Sequence, residues 1–312
     1  MVTEPNSVPP RGVYAAVLTP FGDDLEPNTD AYLAHCRWLL ANGCDGLAPL
    51  GTTGEANSLS VAQRLHLIEA GAAAGLPMER CIIGTGSSAL ADAVTVTRAA
   101  LAAGSTGALL LPPFYYKNPS EDGLFAFFSE VIHRVGDARL RVYLYHFPQM
   151  SAVAVTPTLI LRLKAAYGDT IAGVKDSSGD WGYTAALLKE LPGFGVYSGT
   201  EQFLLANLRA GGAGCISAST NLTAAMAQKV HRAWRQGGAD ADALQESLTA
   251  ARLVLQAFPF QGGLKELVAR FTGDRRWLNV IPPNRPLSPA QRDELFARLS
   301  AVPDMAPVLR AA

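Results

Sequence analysis

The sequence predicts one (β/α)8 barrel, a TIM barrel of the α/β class, with a C-terminal helical extension. Three observations predict it. Eight short apolar runs rich in Val, Ile, Leu and Ala recur along the chain, and each is followed by a stretch with the helical period. Gly, Pro and short polar residues stand where such helices would start and stop. Strict alternation of strand and helix implies parallel strands joined by right-handed crossovers, and eight units in about 220 residues is the number that closes a barrel.

The apolar runs are residues 13–19, 46–50, 81–84, 107–111, 141–146, 171–175, 195–198 and 214–217. Runs this short, bounded by Gly, Pro or Asp, read as strands buried on both faces. The amphipathic stretches between them are 29–42, 60–74, 89–103, 120–135, 157–166, 183–191 and 201–210. Asn28 or Thr29, Ser60, Ser120 and Thr156 suit N-caps, because their side chains can accept from the free N–H groups of a first turn. Pro157 suits the first helical turn, and Gly43, Gly75, Gly104 and Gly168 suit C-caps. After the eighth strand come further helical stretches, 224–236, 240–257, 263–272 and 289–300, more than a bare barrel needs. The expected organisation is therefore a barrel over 1–222 and a helical region over 223–312 packed on it as one structural unit, with 281–289 a proline-rich connection.

Composition narrows the function. Of 312 residues, 49% are hydrophobic and 17% charged, which excludes a disordered chain and leaves enough apolar surface for a large core. The 26 basic and 27 acidic residues give a net charge of −1, so no bulk field attracts nucleic acid or anionic lipid. The N-terminal segment is polar and proline-rich, and no stretch reaches the roughly 18 consecutive apolar residues of a membrane span. A cytoplasmic protein with a small-molecule partner is expected. Cys36, Cys44, Cys81 and Cys215 stand far apart, without C-x-x-C or nearby His, and read as reduced buried thiols rather than disulfides or a zinc site. His35, His66, His133, His146 and His231 fall mostly on helices, no carboxylates cluster at strand ends, and no dinucleotide or P-loop fingerprint occurs; no metal is expected.

Barrel enzymes work at the C-terminal ends of their strands. Only six residues are lysine against 20 arginine, and Lys175 alone ends a strand. An ammonium desolvated in a barrel mouth tends toward a free amine that can attack a carbonyl, whereas a lysine paired with Asp176 would be structural; both readings are open from position alone. Tyr145 ends the preceding strand and could move protons in the same cavity, or be a core tyrosine. By the two-residue period His146 points behind the barrel. Gly-Thr-Thr-Gly-Glu, residues 51–55, is a strand-to-helix turn whose N–H groups and Thr52 and Thr53 hydroxyls suit a small carboxylate, although a plain tight turn reads the same way; Glu55 is either a loop brace or an acid.

Taken together, G-T-T-G-E (51–55), P-F-Y-Y-K-N-P-S (113–120), Y-H-F-P (145–148), G-V-K-D-S-S-G-D (173–180) and S-G-T-E (198–201) resemble, in this order and spacing, the dihydrodipicolinate synthase and N-acetylneuraminate lyase family, over nearly the whole chain. The resemblance implies class I aldolase chemistry on pyruvate or another 2-oxo acid, with a covalent imine and neither metal nor organic cofactor. It implies Lys175 as the imine-forming lysine, Tyr145 as the proton-relaying tyrosine, and Thr52 and Thr53, with Gly51, as the carboxylate-binding pair and its turn. It implies Tyr116, or Tyr115 if the register slips by one, as a tyrosine lent across a subunit interface, and Ile216 and Ser217 as the eighth-strand border of the pyruvate site. A homotetramer built from tight dimers is implied as well.

Departures from the family pattern bear on the branch. The synthase branch carries an arginine two residues after the proline of Y-x-x-P to hold the carboxylate of aspartate semialdehyde; here that position is Met150. His146 replaces the usual asparagine. In the sialate lyase branch a hydroxyl follows the lysine by two positions, matched by Ser177, and acidic groups on the seventh-strand loop bind the sugar chain, matched by Glu201 but not by Gln202. The expectation is a Schiff-base lyase or aldolase, making or breaking a C–C bond or dehydrating a keto-deoxy sugar acid. Dihydrodipicolinate synthase itself is the alternative, and a silent 2-oxo acid binding module the alternative of a different class.

Overall fold

The computed structural model describes residues 9–305. Its strands are β1 (Gly12–Ala16), β2 (Gly46–Ala48), β3 (Ile82–Gly84), β4 (Gly107–Leu110), β5 (Val142–His146), β6 (Ile171–Asp176), β7 (Gly195–Ser198) and β8 (Gly214–Ser217). All neighbours pair in parallel, in the order β2-β1-β8-β7-β6-β5-β4-β3, and a single parallel bridge between Leu47 and Cys81 brings β2 to β3. The result is a nearly closed TIM barrel, as the alternation of the sequence predicts.

Between the strands lie α1 (Thr29–Ala41), α2 (Val61–Ala73), α3 (Leu90–Ala102), α4 (Glu121–Val135), α5 (Pro148–Ser151), α6 (Pro157–Tyr167), α7 (Trp181–Glu190) and α8 (Leu204–Arg209). After β8 come α9 (Thr220–Gln236), α10 (Ala241–Gln256), α11 (Phe260–Thr272) and α12 (Pro289–Ser300). The expected caps form: Asn28, Ser60, Ser120 and Thr156 each accept from a first-turn N–H, and Ser60 makes a reciprocal capping box with Gln63. α7 starts two residues before the expected Tyr183 because the Asp180 carboxylate captures the N–H of Gly182. The stretch from 201 opens as a tight 3-10 turn, Glu201–Phe203, before α8 begins. β1 is shorter than expected because the N–H of Leu18 donates to the Asn221 side chain instead of a strand. α5 has no counterpart among the expected helices; a single turn of four residues carries no period to read.

α9 begins at Thr220, so the expected division at 222/223 falls inside a helix. Val13 of β1, Cys215 of β8, Val230 of α9, Leu248 of α10, Leu267 of α11 and Leu295 of α12 belong to one hydrophobic core. The C-terminal helices thus bury their apolar faces directly on the barrel wall. All four cysteines are buried and free; burial pushes the thiols of Cys44 and Cys81 up to about 12, which leaves them protonated and unreactive.

Inside the barrel, Tyr14, Tyr143 and Tyr197 meet edge to face, with ring centroids 5.8 Å apart in both contacts of Tyr197. They fill the N-terminal half. A Cβ on Gly173 would lie 2.7 Å from the Tyr143 ring, so the missing side chain there makes room for this floor. Two residues further along β5 and β6, on the same inward phase, stand Tyr145 and Lys175.

Candidate active site

Tyr145 and Lys175 are register partners on adjacent strands. Lys175 is 4% exposed, and its Nζ lies over the Tyr145 ring, 4.4 Å from the centroid. Among the described residues Nζ has no hydrogen-bond or ion-pair partner. Asp176 does not pair with it: the alternation of the strand turns that carboxylate outward, where it accepts from the N–H of Ser178 at 2.8 Å and the hydroxyl of Thr184 at 2.6 Å. Of the two readings open from position, the salt-bridged lysine is therefore not the one the fold builds. His146 also faces outward, stacked on Tyr183 at 4.2 Å with its Nδ1 accepting from the N–H of Val155; burial lowers its pKa below the ordinary value.

The turn after β2 closes the cavity from the other side. The Tyr145 hydroxyl donates to Thr52 Oγ1 at 3.5 Å, and Gln261 of α11 donates to the carbonyl of Thr52 at 3.3 Å. Among the described residues the N–H groups of Thr52, Thr53 and Gly54 have no protein acceptor, a row of donors of the kind that receives a carboxylate. Glu55 is the brace of this turn. Its Oε1 lies 2.5 Å from Lys265 Nζ, and its Oε2 accepts from the N–H of Ile281 at 2.8 Å and from Asn284 at 3.2 Å. Lys265 is fully buried; it also donates to the carbonyl of Asn279 and sits 4.1 Å from the Phe21 centroid. Burial lowers its pKa to about 8, with the Glu55 charge acting in the opposite direction.

Between these groups lies a cavity of about 270 Å³ at the C-terminal mouth of the barrel, large enough for a small 2-oxo acid and an aldehyde. Thr52, Thr53, Tyr145 and Lys175 line its inner end, and Ser177, Gly179 and Gly199 one side. The outer wall is built from the extension and the seventh-strand loop: Gln202, Arg252, Gln256, Phe260 and Gln261. Phe147 and Met150 line the remaining side, Met150 being 60% exposed.

The expected site residues are thus only partly brought together. Thr52, Thr53, Tyr145, Lys175, Ser177 and Met150 share the cavity. Glu201 does not line it: its carboxylate is fully buried and accepts from Ser217, from Ser219 at 2.7 Å, from Thr223 at 2.8 Å and from Arg252 at 3.2 Å. Burial, with these protein donors around it, keeps the carboxylate from a substrate hydroxyl. Ser217 spends its hydroxyl on Glu201, and Ile216 packs inside the barrel beside Tyr14 and Tyr197. Gly51 stands at the base of the turn, its carbonyl accepting from Ala56, and is not on the cavity wall. Tyr116 is 70% exposed on the loop after β4, edge to face with Tyr115, and also outside the cavity of the single chain. Arg252, Gln256, Phe260 and Gln261 were not anticipated, because they come from helices beyond the barrel strands.

A partner-free amine, a phenol beside it, a hydroxyl chain and a row of N–H donors at the mouth of a closed-bottomed barrel are the parts of a carbonyl-condensing, Schiff-base site. A model of the Dihydrodipicolinate synthetase family matches residues 9–302, and the chain belongs to that family. It is 35% identical over 296 residues to an uncharacterized DapA-like lyase of Chloroflexus aurantiacus, covering 94% of this chain and 96% of that protein. The fold superposes on the dihydrodipicolinate synthase of Agrobacterium tumefaciens with a TM-score of 0.84 at 35% identity, over 93% of this chain and 99% of that one. It superposes on YagE, a prophage protein of the family from Escherichia coli solved in complex with pyruvate, with a TM-score of 0.86 at 27% identity, over 94% and 98% of the two chains. Members are pyruvate-dependent class I aldolases and lyases that use a lysine Schiff base and need no cofactor; this chain is an enzyme, a lyase of that type. Among the described residues no helix is long and apolar enough to cross a membrane.

Proposed function

We propose that Lys175 forms the imine with C2 of pyruvate or another 2-oxo acid, and that the enzyme belongs to the lyase branch of the family. The observation that carries this reading is the buried Lys175 Nζ, without a hydrogen-bond or ion-pair partner among the described residues and 4.4 Å from the Tyr145 ring. The Nζ lone pair attacks C2, and the carbinolamine oxygen leaves as water with one proton from the amine and one from the Tyr145 phenol. This gives a protonated imine that draws electrons from C3 and a phenolate ready to accept the next proton. In the cleaving direction the 4-hydroxyl passes its proton to the Tyr145–Thr52 hydroxyl pair, the C3–C4 bond breaks, its electron pair enters the enamine, and an aldehyde departs. The proton returns to C3, and water hydrolyses the imine to release the keto acid and the free amine. Thr53 and the N–H groups of the 51–55 turn hold the keto acid's carboxylate, and Ser177 faces the departing fragment.

Met150 supports the branch. A thioether gives no charge to a carboxylate, where the synthase branch has an arginine. The competing reading, dihydrodipicolinate synthase, is favoured by the names of relatives such as the 4-hydroxy-tetrahydrodipicolinate synthase of Rhodospirillum centenum, 32% identical. We also read the protein as cytoplasmic and as a homotetramer, in which the exposed Tyr115 and Tyr116 rings are covered by a second copy and Tyr116 reaches that copy's site.

Borohydride reduction in the presence of pyruvate, followed by peptide mass spectrometry, tests the imine: the adduct mass is expected on Lys175, and its absence overturns the reading. Turnover on a panel of 4-hydroxy-2-oxo acids is expected to exceed condensation of pyruvate with aspartate semialdehyde. Faster condensation with aspartate semialdehyde would make the enzyme a synthase, and an adduct with no turnover at all would make it a binding module.

A further inference from the structure

We infer that Arg252 is the specificity-determining residue for the second substrate, and that this substrate, or the aldehyde released, carries a carboxylate at the end remote from the carbonyl. The inference rests on the Schiff-base reading of Lys175 and adds the chemical class of the partner molecule.

Four observations carry it. First, Arg252 comes from α10 to the outer wall of the cavity, and its side chain is 12% exposed. Second, its direction is fixed. Nη1 donates to Glu201 at 3.2 Å and to Ser217 and Ser219 at 3.0 Å each, Nε donates to Gln256 at 3.2 Å, and the guanidinium lies 4.7 Å from the Phe260 centroid. A guanidinium held on three sides needs little ordering when a ligand arrives. Third, Nη2 has no partner among the described residues, which leaves donors on a fixed cation beside the cavity. Fourth, the cavity wall contains no aspartate or glutamate, while it contains Lys175 and Arg252.

The charges sort the ligand. The keto acid's own carboxylate goes to the inner end, at the 51–55 turn and the imine. Arg252, ion-paired through Nη1 with the buried Glu201, then offers its free Nη2 donors as a second carboxylate-binding group at the outer end, and Met150 cannot supply one. Gln202 and Gln256, linked to each other at 3.1 Å, add neutral amides next to it, so the outer end suits a carboxylate flanked by hydroxyls better than an apolar tail. The buried Glu201 that an acidic sugar-binding loop would present to substrate here orients the arginine instead.

The test compares acid and neutral aldehydes as partners of pyruvate: malonic semialdehyde against propanal, and succinic semialdehyde against butanal. The expected result is a kcat/KM preference for the acid in at least one pair, and a fall of that preference by about 10- to 100-fold in Arg252→Gln, the range for loss of one charge-assisted hydrogen bond. Arg252→Lys, which keeps the charge, is expected to retain part of the preference. Because Arg252→Gln leaves the Glu201 carboxylate buried without its cation, the double variant Arg252→Gln with Glu201→Gln serves if the single one does not fold. Equal use of acid and neutral aldehydes by the wild type, or a preference untouched in the variants, overturns the inference while the pyruvate adduct on Lys175 still stands. Absence of that adduct in the wild type overturns the Schiff-base reading itself.

Discussion

Tyr145 and Lys175 stand opposite each other across β5 and β6, with the amine 4.4 Å from the phenol ring centroid and the phenol oxygen 3.5 Å from Thr52 Oγ1. Amine and proton carrier are therefore placed by strand register rather than by a mobile loop. Lys175→Ala is expected to abolish the pyruvate adduct. Tyr145→Phe keeps the amine but removes the proton relay, so exchange of the C3 protons of pyruvate with heavy water should slow by about 100-fold or more, within the usual range for a positioned acid–base group. Proton NMR of pyruvate in D2O measures it directly. Exchange at the wild-type rate in Tyr145→Phe would remove Tyr145 from the relay.

The turn that carries Thr52 and Thr53 is held from outside the barrel. Glu55 and Lys265 form a fully buried ion pair at 2.5 Å, joining the turn to α11. Removing one partner strands the other charge away from water, so Glu55→Gln or Lys265→Met is expected to cost about 3–5 kcal/mol in urea unfolding. The double variant should cost less than the sum of the two, because no lone charge remains. The same variants should raise KM for pyruvate, since the N–H row loses its support. Single variants as stable as the wild type would show that the ion pair does not hold the turn.

His35 gives the fold a pH dependence of definite sign. It is buried beside Trp277, with Nε2 2.8 Å from Asn221 Oδ1, and burial lowers its pKa from 6.5 to about 4. Above pH 6.5 the imidazole is neutral in both folded and unfolded chains and contributes nothing to the slope. Between pH 6.5 and 4 the unfolded chain binds a proton that the folded one refuses, so stability falls as pH falls, and below about 4 the effect is complete. At pH 5 the loss from this one residue is about 2 kcal/mol. Urea unfolding at pH 7.5 and 5 should show that His35→Gln loses about that much less than the wild type between the two values; equal losses would mean that His35 titrates normally in the fold.

What could be read from the sequence follows the range of the signal. Strand phase is local, so the inward Tyr145 and Lys175, the outward His146, and the caps at Ser60 and Ser120 were all legible from period and residue type. The outer wall was not. Arg252 lies 51 residues beyond Glu201 on a helix whose period gives no hint that it crosses back over the barrel mouth. Glu201 went the other way: the pattern of the sialate lyase branch makes it a sugar-binding acid, and only the tertiary contacts with Ser219, Thr223 and Arg252 show that its carboxylate is turned into the protein. Met150, which the resemblance to the synthase branch puts at the site, does line it, on the one-turn helix α5 that the period could not show.

Gly199 shows how closely the tops of β6 and β7 approach at the site. Its N–H donates to the carbonyl of Asp176 at 2.6 Å, and a Cβ there would lie 2.1 Å from Ser177 Oγ and 2.7 Å from that same carbonyl. The serine hydroxyl can rotate away, but the carbonyl cannot move without pulling the strand that carries Lys175. Gly199→Ala should therefore cost about 1–3 kcal/mol as overpacking and displace Ser177 from the cavity. The effect on catalysis should fall on the departing fragment: KM for a 4-hydroxy-2-oxo acid rises, while formation of the pyruvate adduct on Lys175 changes less. Urea unfolding and steady-state kinetics measure the two effects separately. Wild-type stability together with wild-type KM would mean that the β7 loop yields to the extra methyl group and that its contact with β6 is not what positions Ser177.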